Sequence, residues 1–446
     1  MFKTIHNAWK DPELRKKLLF TVFIVVIFRI GSIIPVPFLD ADALRNFMGA
    51  RVTENSFFGF VNMLSGGAFS HGTLFALSIQ PYINASIIMQ LMTVVIPSLE
   101  KLQKEGEEGR KKMTAITRVL TVTIGVLQAT MFYLWLRNAG RVTMYNEGFA
   151  GIFSAVVIVS VLTAGTALIM WLGEQINDKG VGNGISILLF AGIVARMPML
   201  ITTLWGYISL AIESPNMNFV GRENWYFYIF VPLFVVLLFV IIWLITYTND
   251  AERRIPIQYA KRVVGRKMYG GQSTHIPVKL SGSGVMPIIF AQSILSLPSA
   301  VKAVMDTKAP GWIDSLNNAL SVTGWIYPTI YFVFIIFFAY FYLSIQYNPI
   351  EMANNLRQSS GTIPGIRPGK PTSDFIAKVL SKITLMGAFF LGFIAIEPFI
   401  FSDLTYMYQT TFLGGTSVII MVGVALETVK QMESQMMMRH YKGFLD

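Results

Sequence analysis

Ten apolar runs of about 20 residues punctuate the chain: 18–37, 73–96, 114–136, 149–172, 184–204, 226–247, 284–304, 325–346, 376–399 and 412–429. A run of that length matches the roughly 30 Å hydrocarbon core of a bilayer as a helix. The pattern therefore predicts an all-α polytopic membrane protein with ten spans. Residues 57–92 depart from it, since Gly66, Gly67 and Gly72 interrupt the first half and Pro81 removes a backbone donor in the second. Polar side chains recur there at Asn62, Ser65, Ser70, His71, Gln80, Asn84, Ser86 and Gln90. Unsatisfied polar groups are costly in lipid, and irregular backbone is tolerated there only under protein or beside water. The stretch is read as a half-helix over 56–64, a glycine hinge, and a spanning helix over 73–96. A short plug in the mouth of a cavity fits, and so does a kinked helix preceded by a surface loop.

Ten spans put both termini on one side. Residues 1–205 and 206–446 then hold five spans each, and an odd number makes the halves opposite in topology. Inverted halves often enclose a site at their interface.

Composition agrees with a membrane protein: 53% of the 446 residues are hydrophobic and 14% charged, against about 25% charged in soluble domains. Charge sets the orientation. Of 36 Lys and Arg, 26 fall on the side of the termini and 8 on the other, with Arg29 and Arg118 inside spans. By the positive-inside rule both termini are cytoplasmic. The N-terminus has no cleavable signal pattern.

Two long cytoplasmic loops concentrate the charge. In 248–283, Ile255, Ile257 and Tyr259 alternate as in a strand among Arg253, Arg254, Lys261, Arg262, Arg266 and Lys267. In 347–374, a helical start at 349–358 precedes a segment held by Pro364, Gly365, Pro368, Gly369 and Pro371 around Arg367. Such loops suit docking of a partner, because turn residues limit the entropy lost on binding. Positive-inside charge and contact with anionic lipids account for lysines generally.

Enzymatic signatures are missing. No cysteine is present, no P-loop, GxSxG, HExxH or GxGxxG occurs, and His6, His71, His275 and His440 lack metal-ligand spacing. No cofactor or metal is expected. Carboxylates within spans are almost absent, with Glu397 and Glu427 near span ends, which disfavours a proton- or ion-coupled solute transporter. Arg29 is read as a structural, internally paired arginine. A passive pore driven by a partner fits best.

FRIGSIIPVP (28–37), NMLSGGAFS (62–70), ALSIQPYINASIIMQLMTVVIP (76–97), KEGEEGRKK (104–112), WLGEQINDKGVGNGISILLFAGIVA (171–195), RRIPIQYAKRVVGRKMYGGQSTHIPVKL (253–280), PGIRPGKPT (364–372) and LGGTSVIIMV (413–422) run along the whole chain. In these motifs it resembles the SecY family, the pore subunits of the bacterial Sec protein-translocation channel. The resemblance implies ten helices in two inverted halves around an hourglass pore, in the bacterial cytoplasmic membrane. It implies a pore ring of Ile79, Ile83, Ile185, Leu189, Ile289 and Ile420. Ile79/Ile83 and Ile185/Leu189 share helix faces at i,i+4, and an apolar constriction excludes water by dewetting. The plug would span about 56–70, including Phe57, Phe58, Phe60, Val61, Asn62, Met63, Leu64, Ser65, Gly66 and Gly67. A lateral gate would be lined by Asn84, Gln128, Gln292, Ser293, Ser296 and Leu297, the leucine standing where the family carries a more polar gate position. The basic loops, Arg367 foremost, would dock the ATPase SecA or a translating ribosome. SecE and SecG would be membrane partners, with signal sequences and unfolded preproteins as clients.

Overall fold

The computed structural model describes residues 2–40, 42–44, 56–138, 142–145, 147–213, 218–219, 222–259, 262–264, 267–269, 273–280, 282, 284–305, 311–320, 324–405, 407 and 414–442. Helix α1 (Phe2–Lys10) precedes α2 (Pro12–Gly31), whose start is set by Pro12 and by Asp11 Oδ1, which accepts the Glu13 N–H at 3.0 Å. The half-helix α3 (Ser56–Leu64) follows, then α4 (Gln80–Val95), α5 (Pro97–Lys104), α6 (Glu107–Asn138), α7 (Gly148–Lys179), α8 (Gly184–Val194) and α9 (Met197–Glu213). After strands β1 (Asn218–Phe219) and β2 (Arg222–Glu223) come α10 (Phe227–Asp250) and strands β3 (Glu252–Tyr259), β4 (Arg262–Val264), β5 (Lys267–Tyr269) and β6 (Ser273–Lys279). The chain continues through α11 (Met286–Met305), α12 (Gly311–Ala319), α13 (Ile326–Gln346), α14 (Pro349–Gln358), β7 (Gly361–Thr362), α15 (Lys370–Thr405) and α16 (Gly415–Lys442).

Each expected span falls on a helix. Among the described residues six helical stretches are long and apolar enough to cross a membrane, and a seventh if α4 and α5, bent by 104°, count as one. The first, seventh and tenth spans fall short for local reasons. Helix α2 carries Arg15, Lys16, Lys17 and Arg29, α11 is apolar only over Met286–Ser299, and α16 turns polar from Glu427 onward. Large apolar side chains such as Phe149 (84% exposed) and Met386 (70%) face outward, as lipid contact requires. Helix α9 runs through residue 205, the expected boundary between halves, to Glu213.

The second span differs from expectation. Helix α4 begins at Gln80, and residues 73–79 form a chain of turns, with Ser78 at φ +51°. Pro81 therefore sits in the first turn of α4, where its missing N–H disrupts nothing. The turn chain lies against α7, where a Cβ on Gly165 would come within 2.0 Å of Leu74 O. Only a residue without a side chain allows that approach.

Between the long loops β3 pairs with β6 along seven residues, and β7 adds to the other edge through Gln258↔Thr362 and Tyr259↔Gly361. The sheet thus joins the two long loops into one body. Ile255, Ile257, Val278, Leu356, Ile363, Ile376 and Leu380 form its core.

Gly165→Ala is expected to lower the unfolding midpoint in detergent by several degrees, from roughly 1–3 kcal/mol of overpacking. Gly206→Ala on α9, where a Cβ meets nothing within 4 Å, should leave the midpoint unchanged or slightly raised.

Candidate functional site: an apolar waist, a capping half-helix and a side groove

Five segments meet at the centre of the molecule. Ile79 ends the turn chain, Ile83 lies on α4, Ile185 and Leu189 on α8, Ile289 on α11 and Ile420 on α16. Ile79, Ile83, Leu189, Ile289 and Ile420 are buried in one cluster, and Ile185 packs against it half-buried. The six side chains expected to form a ring are therefore in one place. Above them opens a cavity of about 700 Å³. Ile83, Ile185, Leu189, Ile289 and Ile420 form its apolar end, and Asn177, Asn183, Thr248, Gln346 and Lys430 are among its polar walls. Ile79 lies deeper, at 1% exposure.

The half-helix closes the other side. Met63 and Leu64, at its end, belong to the same apolar cluster as the ring. The chain leaves α3 through Gly66 (φ +64°) and Gly67 (φ +92°), conformations that favour glycine. A Cβ on Gly66 would lie 2.8 Å from Gly192 O on α8 and 3.3 Å from Arg29 Nη1. Polar side chains satisfy this irregular backbone. Ser78 Oγ donates to Leu64 O (3.1 Å), Ser70 N–H to Asn62 Oδ1 (3.2 Å), Phe69 N–H to Ser65 Oγ (3.1 Å) and Thr73 Oγ1 to Ala68 O (3.2 Å). His71 Nδ1–H donates to Gly67 O at 2.9 Å, which fixes its tautomer. The kinked-helix alternative does not describe this stretch, because α3 is packed into the central cluster. The side chains of Phe57, Phe58 and Phe60 lie outside the described residues.

Arg29 differs from the internally paired arginine expected of it. Its Nη1 is buried and has no hydrogen-bond partner among the described residues. It stands near the carbonyl end of α3, where a positive charge is favoured by the helix dipole. Sequence reading also missed Ser78 and Gly192. Nothing in the local pattern marks either as a contact of α3, because both contacts are made between distant segments.

A groove of about 420 Å³ opens beside the waist, lined from α3, α4, α6, α11 and α13. It brings together Asn84, Gln128, Ser293, Ser296 and Leu297 among mostly apolar side chains that include Phe132 and Trp135. Gln128 Oε1 is buried without a hydrogen-bond partner among the described residues, and Ser296 Oγ donates to Ser293 O at 2.8 Å. Gln292 is not part of this groove. Its Oε1 accepts from Tyr327 Oη at 3.1 Å, which ties α11 to α13 instead. Leu297 is exposed and makes the groove less polar at that point.

On the β6-β3-β7 sheet Arg253 and Arg254 are exposed, and Arg254 Nε pairs with Glu252 Oε1 at 2.8 Å. Such a surface pair adds little stability. Arg367 is exposed in the turn after β7, where Thr372 Oγ1 donates to Arg367 O (2.9 Å) and Gly365 and Gly369 take positive φ. Arg262 and Lys267 lie on the β4–β5 hairpin, with side chains outside the described residues, and Lys261 and Arg266 lie outside them altogether.

The chain and its fold are similar to those of known proteins. Residues 73–429 match the profile of the SecY family. The chain is 44% identical over 451 residues to the protein translocase subunit SecY of Streptomyces scabiei, covering 100% of both. Two solved structures share the fold at 18% identity, each covering 96% of both chains. One is a SecY protein whose plug domain stabilises the closed state of its translocation channel and maintains a membrane seal (TM-score 0.63). The other is Sec61 in the canine ribosome-channel complex from the endoplasmic reticulum (TM-score 0.61).

Gly66→Val is expected to force the turn away from Gly192 and to speed amide hydrogen exchange at 61–65 on the order of tenfold, from about 1–3 kcal/mol of backbone strain. Unchanged exchange would show that the glycine turn does not hold α3.

Proposed function

The chain belongs to the SecY family and is a multi-pass membrane protein, and from that premise we propose that it forms the pore of a Sec protein-translocation channel in the bacterial cytoplasmic membrane. It is a channel subunit rather than an enzyme. The convergence of six aliphatic side chains from distant segments, between a polar cavity and a half-helix, carries this reading. Flexible aliphatic side chains close on themselves at rest, where they resist water and ions, and yield around a peptide. On this reading α3 is the plug, and the first and second halves of the chain are the two sides of the pore.

The groove beside the waist is the lateral gate, through which apolar segments of a client pass into lipid. Its apolar walls suit a signal sequence, and the few polar groups give a seam of weak hydrogen bonds, each worth about 0.6–2 kcal/mol. Gln292 contributes indirectly, by fastening α11 to α13. A solute transporter is the weaker reading, because the central cavity ends in an aliphatic constriction and, among the described residues, Glu427 is its one lining carboxylate.

Both termini face the cytoplasm on this reading, as does the β6-β3-β7 sheet. SecA and the ribosome dock there, with Arg367 offered on a preset turn and Arg253, Arg254, Lys261, Arg262, Arg266 and Lys267 as further docking residues. Arginine suits a carboxylate or a phosphate through its fixed fork of donors. SecE and SecG are the membrane partners, and anionic lipids meet the basic surface.

Ile83→Cys in this cysteine-free chain is expected to form a disulfide with a cysteine in the middle of a stalled secretory client, and only with SecA and ATP. Translocation without that cross-link would remove Ile83 from the path. Arg367→Glu should abolish SecA-driven translocation while leaving membrane insertion and association with SecE intact; normal translocation would refute the docking role.

A further inference from the structure

Asn177, near the end of α7, and Asn183, the cap of α8, both border the central cavity beside Ile185. Gly184 N–H donates to Asn177 Oδ1 at 2.7 Å, and Ser186 N–H donates to Asn183 Oδ1 at 3.3 Å. A backbone N–H can only donate, so the amide oxygen of each side chain must be the atom facing it. The two Nδ2 groups therefore point away from the turn. Both residues are exposed, so these donors are open to the cavity.

The turn that carries them is held tightly. Val181 N–H donates to Thr21 Oγ1 of α2 at 3.1 Å, Gly182 takes φ +87°, and a Cβ on Gly184 would lie 1.9 Å from Gly173 O. Two amide donors are thus fixed at the lip of the apolar waist.

We infer that Asn177 and Asn183 form a donor collar that hydrogen-bonds main-chain carbonyls of the translocating polypeptide as it enters the ring. The inference rests on the channel reading above and deepens it. A peptide carbonyl moving from the wet cavity into the aliphatic constriction sheds its water, and an unsatisfied one costs about 1–3 kcal/mol. Donors at the lip replace that water at the step where it is lost. Every residue has a carbonyl, so the collar acts on any sequence. Because the carboxamide oxygens are already engaged, the collar offers donors without competing acceptors at these two positions.

The test uses the complete channel complex in membranes and a client with an uncharged central stretch. Asn177→Asp/Asn183→Asp keeps both backbone caps and removes both donors. Lys179→Glu, at the exposed end of α7 and outside the cavity lining, makes the same change of charge and leaves the collar intact. Transit of the engaged client should slow roughly three- to tenfold in the double aspartate variant, the scale of one or two hydrogen bonds. The amount of client engaged should stay constant, and Lys179→Glu should transit near the wild-type rate. Asn183→Asp alone, which keeps the N-cap acceptor and removes one donor, should also slow transit, and it serves if the double variant fails to assemble. Equal slowing by Lys179→Glu would reduce the effect to charge, and unslowed transit in both aspartate variants would overturn the collar. Failure of the wild-type complex to move the client would instead sink the channel reading itself.

Discussion

Residues 65–79 sit at the heart of a membrane protein without being a regular helix, and their backbone groups must still find partners. Lipid supplies none, so the protein does. Asn62, Ser65, Thr73 and Ser78 provide side-chain bonds in place of a helical ladder. Once the stretch is satisfied in this way, Ile79 is set deep in the central cluster and Leu64 beneath it. The chain can then reverse between α3 and α4 while both contribute to one waist. An ordinary helix through this region would be easier to satisfy and would leave the centre without a cap.

The waist and the groove share elements, which couples them physically. Helix α4 carries Ile83 into the cavity and Asn84 into the groove, and α11 carries Ile289 and Ser293 in the same way. A displacement of either helix that widens one space changes the other. The hydrogen bond from Tyr327 to Gln292 ties α11 to α13 along one side of the groove. A channel that must open both along its axis and toward lipid is served by such shared walls.

The body made by the two long loops is built on the same economy of contact. Strand β7, two residues long, joins one loop to the other through β3, and a small apolar core locks them. Arg367 consequently stands at a defined place relative to Arg253 and Arg254. Neither loop alone contains enough apolar residues to hold that position.

Much of the fold was legible from local pattern. The bounds of α3 and α14, the strand at β3 and the helical nature of all ten spans follow from periodicity, length and turn residues, because those forces act within a few residues. The ring, the groove and the docking residues required likeness to a family, since one isoleucine among many in a membrane helix has no local mark. Tertiary structure alone decided that α4 starts at Gln80, that Gln292 faces Tyr327, and that Arg29 Nη1 is buried beside Gly66. It also decided that Ser78 and Gly192 hold the half-helix and that the two loops share a sheet. Each of these outcomes depends on approaches between segments far apart in the chain, and such distances are set by packing and not by any local preference.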